Sequence, residues 1–124
     1  MAKSLVVGVD DDTRVRESIA RLAKSAGYEP KVFPSAESLL ESGILAEASC
    51  LVSDVRMPGI GGLELQHRVK AAFPKLPVIL ISAHVDEEVR RRALAEGAVE
   101  FLYKPFDGEE LLRAIQRAIE PPKL

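Results

Sequence analysis

The 124-residue sequence predicts a doubly wound α/β domain, (βα) five times over, with a parallel sheet as the middle of three layers. Three observations carry that expectation. Short apolar or β-branched runs at 5–9, 29–33, 50–53, 78–81 and 99–103 alternate with segments of helical periodicity. Three of these runs are almost continuously apolar, the pattern of strands covered on both faces. The connections are short, and right-handed crossovers then leave few topologies.

The first run, Leu5-Val6-Val7-Gly8-Val9, leads through Asp10-Asp11-Asp12 into a helix with Val15, Ile19, Leu22 and Ala23 on one face. Asp12 is placed to accept a free backbone N–H as its N-cap, and Gly27 stands where a left-handed residue ends it. The second run ends in Phe33-Pro34-Ser35, with Ser35 as the cap of a helix that Gly43 terminates. Cys50-Leu51-Val52-Ser53 is followed by Asp54, and Leu65, Val69 and Ala72 resume the helical rhythm. Val78-Ile79-Leu80-Ile81 precedes Ser82, and Asp86 caps a fourth helix that Arg90-Arg91-Arg92 opens. Its apolar stripe (Val89, Ala93, Leu94) is thin, and Gly97 closes it. After the fifth run, Asp107 and Glu110 predict a capping box before a helix carrying Leu111, Leu112, Ile115 and Ile119. That helix stops at Glu120-Pro121-Pro122. One domain is expected over 1–124, with its core at 3–119 and a tail or the start of a linker at 120–124.

Seventeen basic against nineteen acidic residues give 17 − 19 = −2, a balance that argues against nucleic acid as the main partner. The one cysteine, Cys50, excludes an internal disulfide framework and fits a reducing compartment. No apolar run approaches the ~20 residues of a membrane span, and three aspartates follow the first short apolar stretch too soon for a secretory signal. The expected location is cytoplasmic.

Ligands of open α/β sheets bind beyond the carboxyl ends of the strands. Four of the five predicted strands end in a polar or charged residue: Asp10-Asp11-Asp12, Asp54, Ser82 and Lys104. Clustered aspartates repel one another and favour a hard cation with oxygen ligands, which suits Mg²⁺, with Mn²⁺ as a substitute. A carboxylate nucleophile, a divalent cation and a lysine are the working parts of phosphoryl transfer to aspartate. Lys104 would neutralise one phosphoryl oxygen and the Ser82 hydroxyl would bond another. Their blander readings are a surface lysine bridging an acid and a backbone cap. His67 reads as an exposed helix residue and Cys50 as a small core residue.

Val9-Asp10-Asp11-Asp12, Ser53-Asp54-Val55-Arg56-Met57-Pro58-Gly59, Leu80-Ile81-Ser82-Ala83 and Tyr103-Lys104-Pro105-Phe106 together resemble the receiver domain of bacterial response regulators. The likeness runs from about Lys3 to Ile119, and its wording is most similar to receivers of nitrogen-fixation-type transcriptional regulators. It implies a flavodoxin-like sheet of order 2-1-3-4-5. It implies Asp54 as phosphoacceptor, charged by a histidine kinase, a phosphotransfer protein or a small phosphodonor. Asp11 would bind Mg²⁺ directly, Asp10 mainly through water, and Asp54 and the Arg56 backbone carbonyl would complete the ligands. Ser82 would be the switch hydroxyl, Lys104 the phosphoryl partner and Lys104–Pro105 a cis peptide. Phe101 matches the switch aromatic; lacking a hydroxyl, it must act by packing. The resemblance places Arg56 and His84 at positions that vary in the family and influence phosphoryl lifetime, and one of them would tune hydrolysis here.

The expected output is a change in the face made by the fourth helix, fifth strand and fifth helix, read by a downstream protein or output domain. The domain is expected to act as a switch, not an enzyme, beyond self-phosphotransfer and slow autodephosphorylation. Arg90-Arg91-Arg92 reads first as a solvated face. The sharper reading is a partner surface, where a phosphorylation-dependent homodimer would pair it with Glu100, Asp107, Glu109 and Glu110 across a twofold. The chain would work either by docking alone or as the receiver of a longer regulator. Competing readings are a Mg²⁺-dependent phosphatase or transferase, which needs a lid the short loops do not supply, and a receiver-like docking module that takes no phosphate. A cofactor carrier is disfavoured because three carboxylates would repel a phosphate after the first strand.

Overall fold

Strict two-residue alternation in the strands sorts the core into two apolar layers. Val7, Val9, Leu51, Leu80 and Phe101 face one side of the sheet, while Val6, Val52, Ile79, Ile81 and Leu102 face the other. The computed structural model, which describes residues 3–120, runs β1 (Leu5–Val9), α1 (Thr13–Ser25), β2 (Glu29–Phe33), α2 (Ala36–Ser42), a 3₁₀ turn (Ile44–Glu47) and β3 (Cys50–Asp54). It continues with α3 (Gly62–Ala72), β4 (Val78–Ser82), α4 (Glu87–Ala95), β5 (Glu100–Tyr103) and α5 (Gly108–Ile119). All strand pairs are parallel, in the order β2-β1-β3-β4-β5, as the resemblance implied.

Helix α1 and helix α5 cover one face through Ile19, Ala23, Leu111, Ala114 and Ile115. Helices α2, α3 and α4 cover the other through Leu39, Leu65, Val69 and Ala93. Each fully buried Leu or Ile contributes about 1.5–3 kcal/mol relative to exposure. The three interior strands, β1, β3 and β4, are buried at every position, and both edge strands are not. Helix α4 has the weakest grip, with Ala93 its one fully buried residue.

The caps at Asp12, Ser35, Asp86 and Asp107 form as expected, and Gly27, Gly43 and Gly97 all have positive φ. Other expectations need correction. Asp107 turns its short carboxylate to the amide of Glu109 at 3.0 Å, and the Glu110 amide bonds the Asp107 carbonyl, so the predicted box is a simple cap. Arg90-Arg91-Arg92 does not open α4, which starts at Glu87 because Asp86 accepts from the amides of Glu88 and Val89. Two glutamates in that first turn also suit the positive end of the helix dipole. The 3₁₀ turn after α2 has no periodic signature and was not anticipated. The expected stop at Pro121-Pro122 lies outside the described residues.

Gly62 matters for the site. A Cβ there would stand 2.2 Å from the Asp54 carbonyl oxygen, so only glycine lets α3 begin this close to the end of β3.

Candidate functional site

Parallel pairing brings four strand ends to one edge. Val9 is level with Ser53, Asp54 with Ile81, and Ser82 with Tyr103. Asp10, Asp54, Ser82 and Lys104, distant in sequence, therefore meet at the carboxyl edge, the place an α/β sheet reserves for ligands.

Asp10 is fully buried and Asp54 is 6% exposed. The buried Asp10 carboxylate is satisfied on both oxygens: Oδ1 accepts the Asp12 amide at 2.9 Å and Oδ2 accepts Lys104 Nζ at 3.0 Å. Arg16 donates Nη1 to the Asp10 carbonyl at 2.8 Å, fixing the loop after β1 from the side of α1. Lys104 Nζ lies 3.6 Å from Asp54 Oδ2. One oxygen from each of Asp10, Asp11 and Asp54 falls within 4.8 Å of the others.

Three carboxylates thus face one ammonium, an excess of negative charge. Burial, followed by the neighbouring charge of Asp10, lifts the Asp54 carboxyl above its ordinary range, against the opposing pull of Lys104. Burial alone would lower the Lys104 ammonium; its hydrogen bond and charge pairing with Asp10, with help from Asp54, outweigh that and hold it above its ordinary value. An oxygen-only donor set with uncompensated charge fits a hard divalent cation. The arrangement also offers a carboxylate nucleophile, Asp54, beside a fixed positive charge.

Ser82 is buried, and its hydroxyl donates to the His84 carbonyl and accepts the His84 amide, each at 3.1 Å. In this conformation it is occupied by its own loop. His84 and Arg56 are exposed on the loops beside the site. The Lys104–Pro105 bond is cis. Phe101 is buried and meets Tyr103 edge-on, centroids 5.4 Å apart at 71°. The Tyr103 hydroxyl donates to Glu87 Oε1 at 3.2 Å, tying β5 to the start of α4. Neither Tyr103 nor Arg16 was singled out from the sequence. The two-residue spacing of Phe101 and Tyr103 is a signal for the first; the second carries none.

His67 is exposed and Cys50 is fully buried, as expected. The arginine triplet is neutralised within the chain: Arg90 faces Glu87, Arg91 binds Glu88, and Arg92 faces Glu96. Glu100 binds Arg117 and Glu109 faces Arg113, so these charges also have partners at home.

Known proteins match this arrangement. Residues 6–116 fit the family description of the response regulator receiver domain. The chain is 42% identical over 118 residues to Nodulation protein W of Bradyrhizobium diazoefficiens, covering 95% of this chain and 52% of that protein. It is 40% identical over 120 residues to the transcriptional regulatory protein FixJ of Azorhizobium caulinodans, covering 96% and 57%. The chain therefore spans about half the length of the curated relatives it matches. Among solved structures, the response regulator StyR superposes with a TM-score of 0.86 at 43% identity, covering 96% of this chain and 60% of that one. The receiver domain of Nitrogen Regulatory Protein C does so with a TM-score of 0.84 at 36% identity, covering 96% of each. With its sheet order, its acidic edge and these relatives in agreement, the chain belongs to the response regulator receiver domains, the phosphoacceptors of two-component signalling.

Proposed function

We propose that Asp54 is the phosphoacceptor of this receiver and that its charging drives a change in the α4-β5-α5 face. The observation that carries this reading is the placement of Asp54 within 4.8 Å of Asp10 and Asp11 oxygens and 3.6 Å from Lys104 Nζ. An Asp54 carboxylate oxygen attacks the phosphorus of a phosphohistidine or an acyl phosphate in line. The P–N or P–O bond breaks, and its electron pair leaves with the imidazole or the carboxylate. The product is an acyl phosphate on Asp54. Lys104, already between Asp10 and Asp54, neutralises the incoming oxygens.

Asp11, Asp54, the Arg56 carbonyl and, through water, Asp10 would hold Mg²⁺, with Mn²⁺ as a substitute. The ion supplies charge neutralisation of the transferred group. The protein completes its own dephosphorylation slowly. Water attacks phosphorus, the P–O bond to Asp54 breaks with its electron pair returning to the carboxylate, and inorganic phosphate and a proton leave to solvent. The exposed Arg56 and His84 set the phosphoryl lifetime by screening or admitting that water.

A groove of about 520 Å³ lined by Val15, Ser18, Ala83, Lys104, Pro105 and Phe106 adjoins the site at Lys104, and the phosphodonor is a histidine kinase or phosphotransfer protein. Once Asp54 is charged, Ser82 exchanges its His84 bonds for a phosphoryl oxygen, and Phe101 packs into the space that the loop vacates. A charged-group hydrogen bond contributes about 1.5–3 kcal/mol, while shifting a population from 1:99 to 99:1 takes about 5.5 kcal/mol. Ser82 alone therefore falls short; Lys104 must act with it, and a cation held by the acidic residues would add to them. The receiver then signals to an output domain or a separate protein, within the cytoplasm.

The deciding experiment is incubation with acetyl phosphate and Mg²⁺, followed by intact mass. We expect one added phosphoryl group in the wild type and none in Asp54→Ala. Labelling that survives in Asp54→Ala moves the acceptor elsewhere, and an unlabelled wild type leaves the docking-module reading in its place.

A further inference from the structure

The loop between β3 and α3, residues 55–61, is held at both ends by backbone bonds: Val55 N–H to the Ile81 carbonyl at 2.9 Å and Gly62 N–H to the Val55 carbonyl at 2.8 Å. Met57 is sunk in the core beneath it. Its middle has a different anchor. Glu37, in the first turn of α2, accepts the Ile60 amide on Oε2 at 2.8 Å. Gly59 has a φ of +76°, and a Cβ there would stand 2.2 Å from that same oxygen. The carboxylate thus occupies the space a side chain at position 59 would need, directly against the loop backbone. The hydrogen bond from the Ile60 amide holds the Glu37 carboxyl below its ordinary range, so the group on the loop is an anion.

This contact joins an element that carries none of the acidic site to the loop that carries Arg56. Helix α2 is seated on the sheet by fully buried Ala36 and Leu39 and capped by Ser35, so Glu37 stands on a firm support. Loop positions otherwise free to drift are then referred to the body of the domain. We propose that Glu37 is a positioning residue for the divalent-cation site: it clips the β3–α3 loop at Ile60 and so sets the path of the segment presenting the Arg56 carbonyl. The inference rests on the proposed ligand role of that carbonyl.

The test uses the full chain and four variants: Glu37→Ala, Glu37→Asp, Glu37→Gln and, as a control on the same helix, Glu41→Ala. Mg²⁺ affinity is measured by calorimetry, exchange of the Ile60 amide by NMR, and acetyl phosphate labelling as a function of Mg²⁺. Glu37→Ala is expected to weaken Mg²⁺ binding and speed Ile60 exchange by about tenfold each, the equivalent of one charge-assisted hydrogen bond. Glu37→Asp, which keeps the charge and loses the reach, should follow it. Glu37→Gln, whose amide oxygen accepts the same N–H, should recover most of the affinity. Labelling at saturating Mg²⁺ should stay within about twofold in every variant, since only the cation's hold has changed. Mg²⁺ affinity within twofold of wild type in both Glu37→Ala and Glu37→Asp overturns the proposal, even if Ile60 exchange rises. If either variant melts early, Glu37→Gln decides: affinity as poor as that of Glu37→Asp overturns it too. A wild type that binds no Mg²⁺ would instead overturn the proposed function on which the inference depends.

Discussion

Lys104 donates to Asp10 at 3.0 Å and stands 3.6 Å from Asp54, so the lone ammonium of the site is shared unequally between two buried carboxylates. Asp54, the proposed nucleophile, is the less well compensated of the two. That asymmetry governs how the domain responds to charge, and the first two expectations follow from it.

Replacing Asp54 by Asn should stabilise the metal-free protein at neutral pH. The folded state raises the Asp54 carboxyl, through burial first and the charge of Asp10 second. A raised carboxyl contributes stability that is fully present below its unfolded value and is lost as pH rises through its folded value. Ionised Asp54 is therefore a cost at pH 7, which Asn removes. Thermal melts in chelator should place Asp54→Asn above wild type, by about 4 °C for each kcal/mol released. The gap should close as pH falls below the ordinary aspartate range. A lower melting point for the variant at pH 7 would contradict this.

Lys104→Met should have the opposite effect. It leaves fully buried Asp10 with the Asp12 amide but no opposing charge. Loss of one partner of a buried pair costs about 3–5 kcal/mol; the low end applies because Lys104 is partly exposed. Added Mg²⁺ should return much of the loss by supplying the missing positive charge. Chemical denaturation with and without the ion measures both quantities.

Ser82→Ala should separate charging from response. The hydroxyl is bonded to His84 in this conformation, and in the proposed mechanism it takes no part in the attack by Asp54. Phosphoryl uptake should stay within about threefold of wild type, while the phosphorylation-dependent change in amide exchange over α4 falls by about tenfold, the equivalent of one charged-group hydrogen bond. Equal losses in uptake and response would abolish this division of labour.

Tyr103→Phe removes the hydroxyl bond to Glu87 and keeps the ring that packs on Phe101. Helix α4 is weakly buried, so even an exposed tie matters there. Amide exchange at the start of α4 should rise by about fivefold, corresponding to a net hydrogen bond of about 1 kcal/mol, with the exchange of α5 unchanged. Equal increases in both helices would indicate general loosening.

How much of this was legible in one dimension depends on the kind of contact. Asp54, Ser82 and Lys104 stand out because each breaks an apolar run where a strand ends. Parallel strands then carry such breaks to a common edge. The Asp12, Ser35 and Asp86 caps were legible because a cap bonds an amide two or three residues away. The capping box at Asp107 failed on a detail of reach: the shorter aspartate found the Glu109 amide first. The arginine triplet reads from the sequence as a solvated face or a partner surface; in the structure Arg90 and Arg91 pair back to Glu87 and Glu88 in the first turn, and Arg92 pairs forward to Glu96 at the helix end.

Alternation, cap spacing and the polar strand ends were therefore enough to determine the class of fold and the membership of the acidic site, because all three follow from the local periodicity of the backbone. Tertiary structure alone decided the rest: which Asp10 oxygen Lys104 holds, that the Tyr103 hydroxyl reaches Glu87 on α4, and that Glu37 of α2 accepts the Ile60 amide. Those contacts join a side chain to a group many residues away, at a distance set by how helices seat on the sheet. Residue order by itself carries no record of such distances.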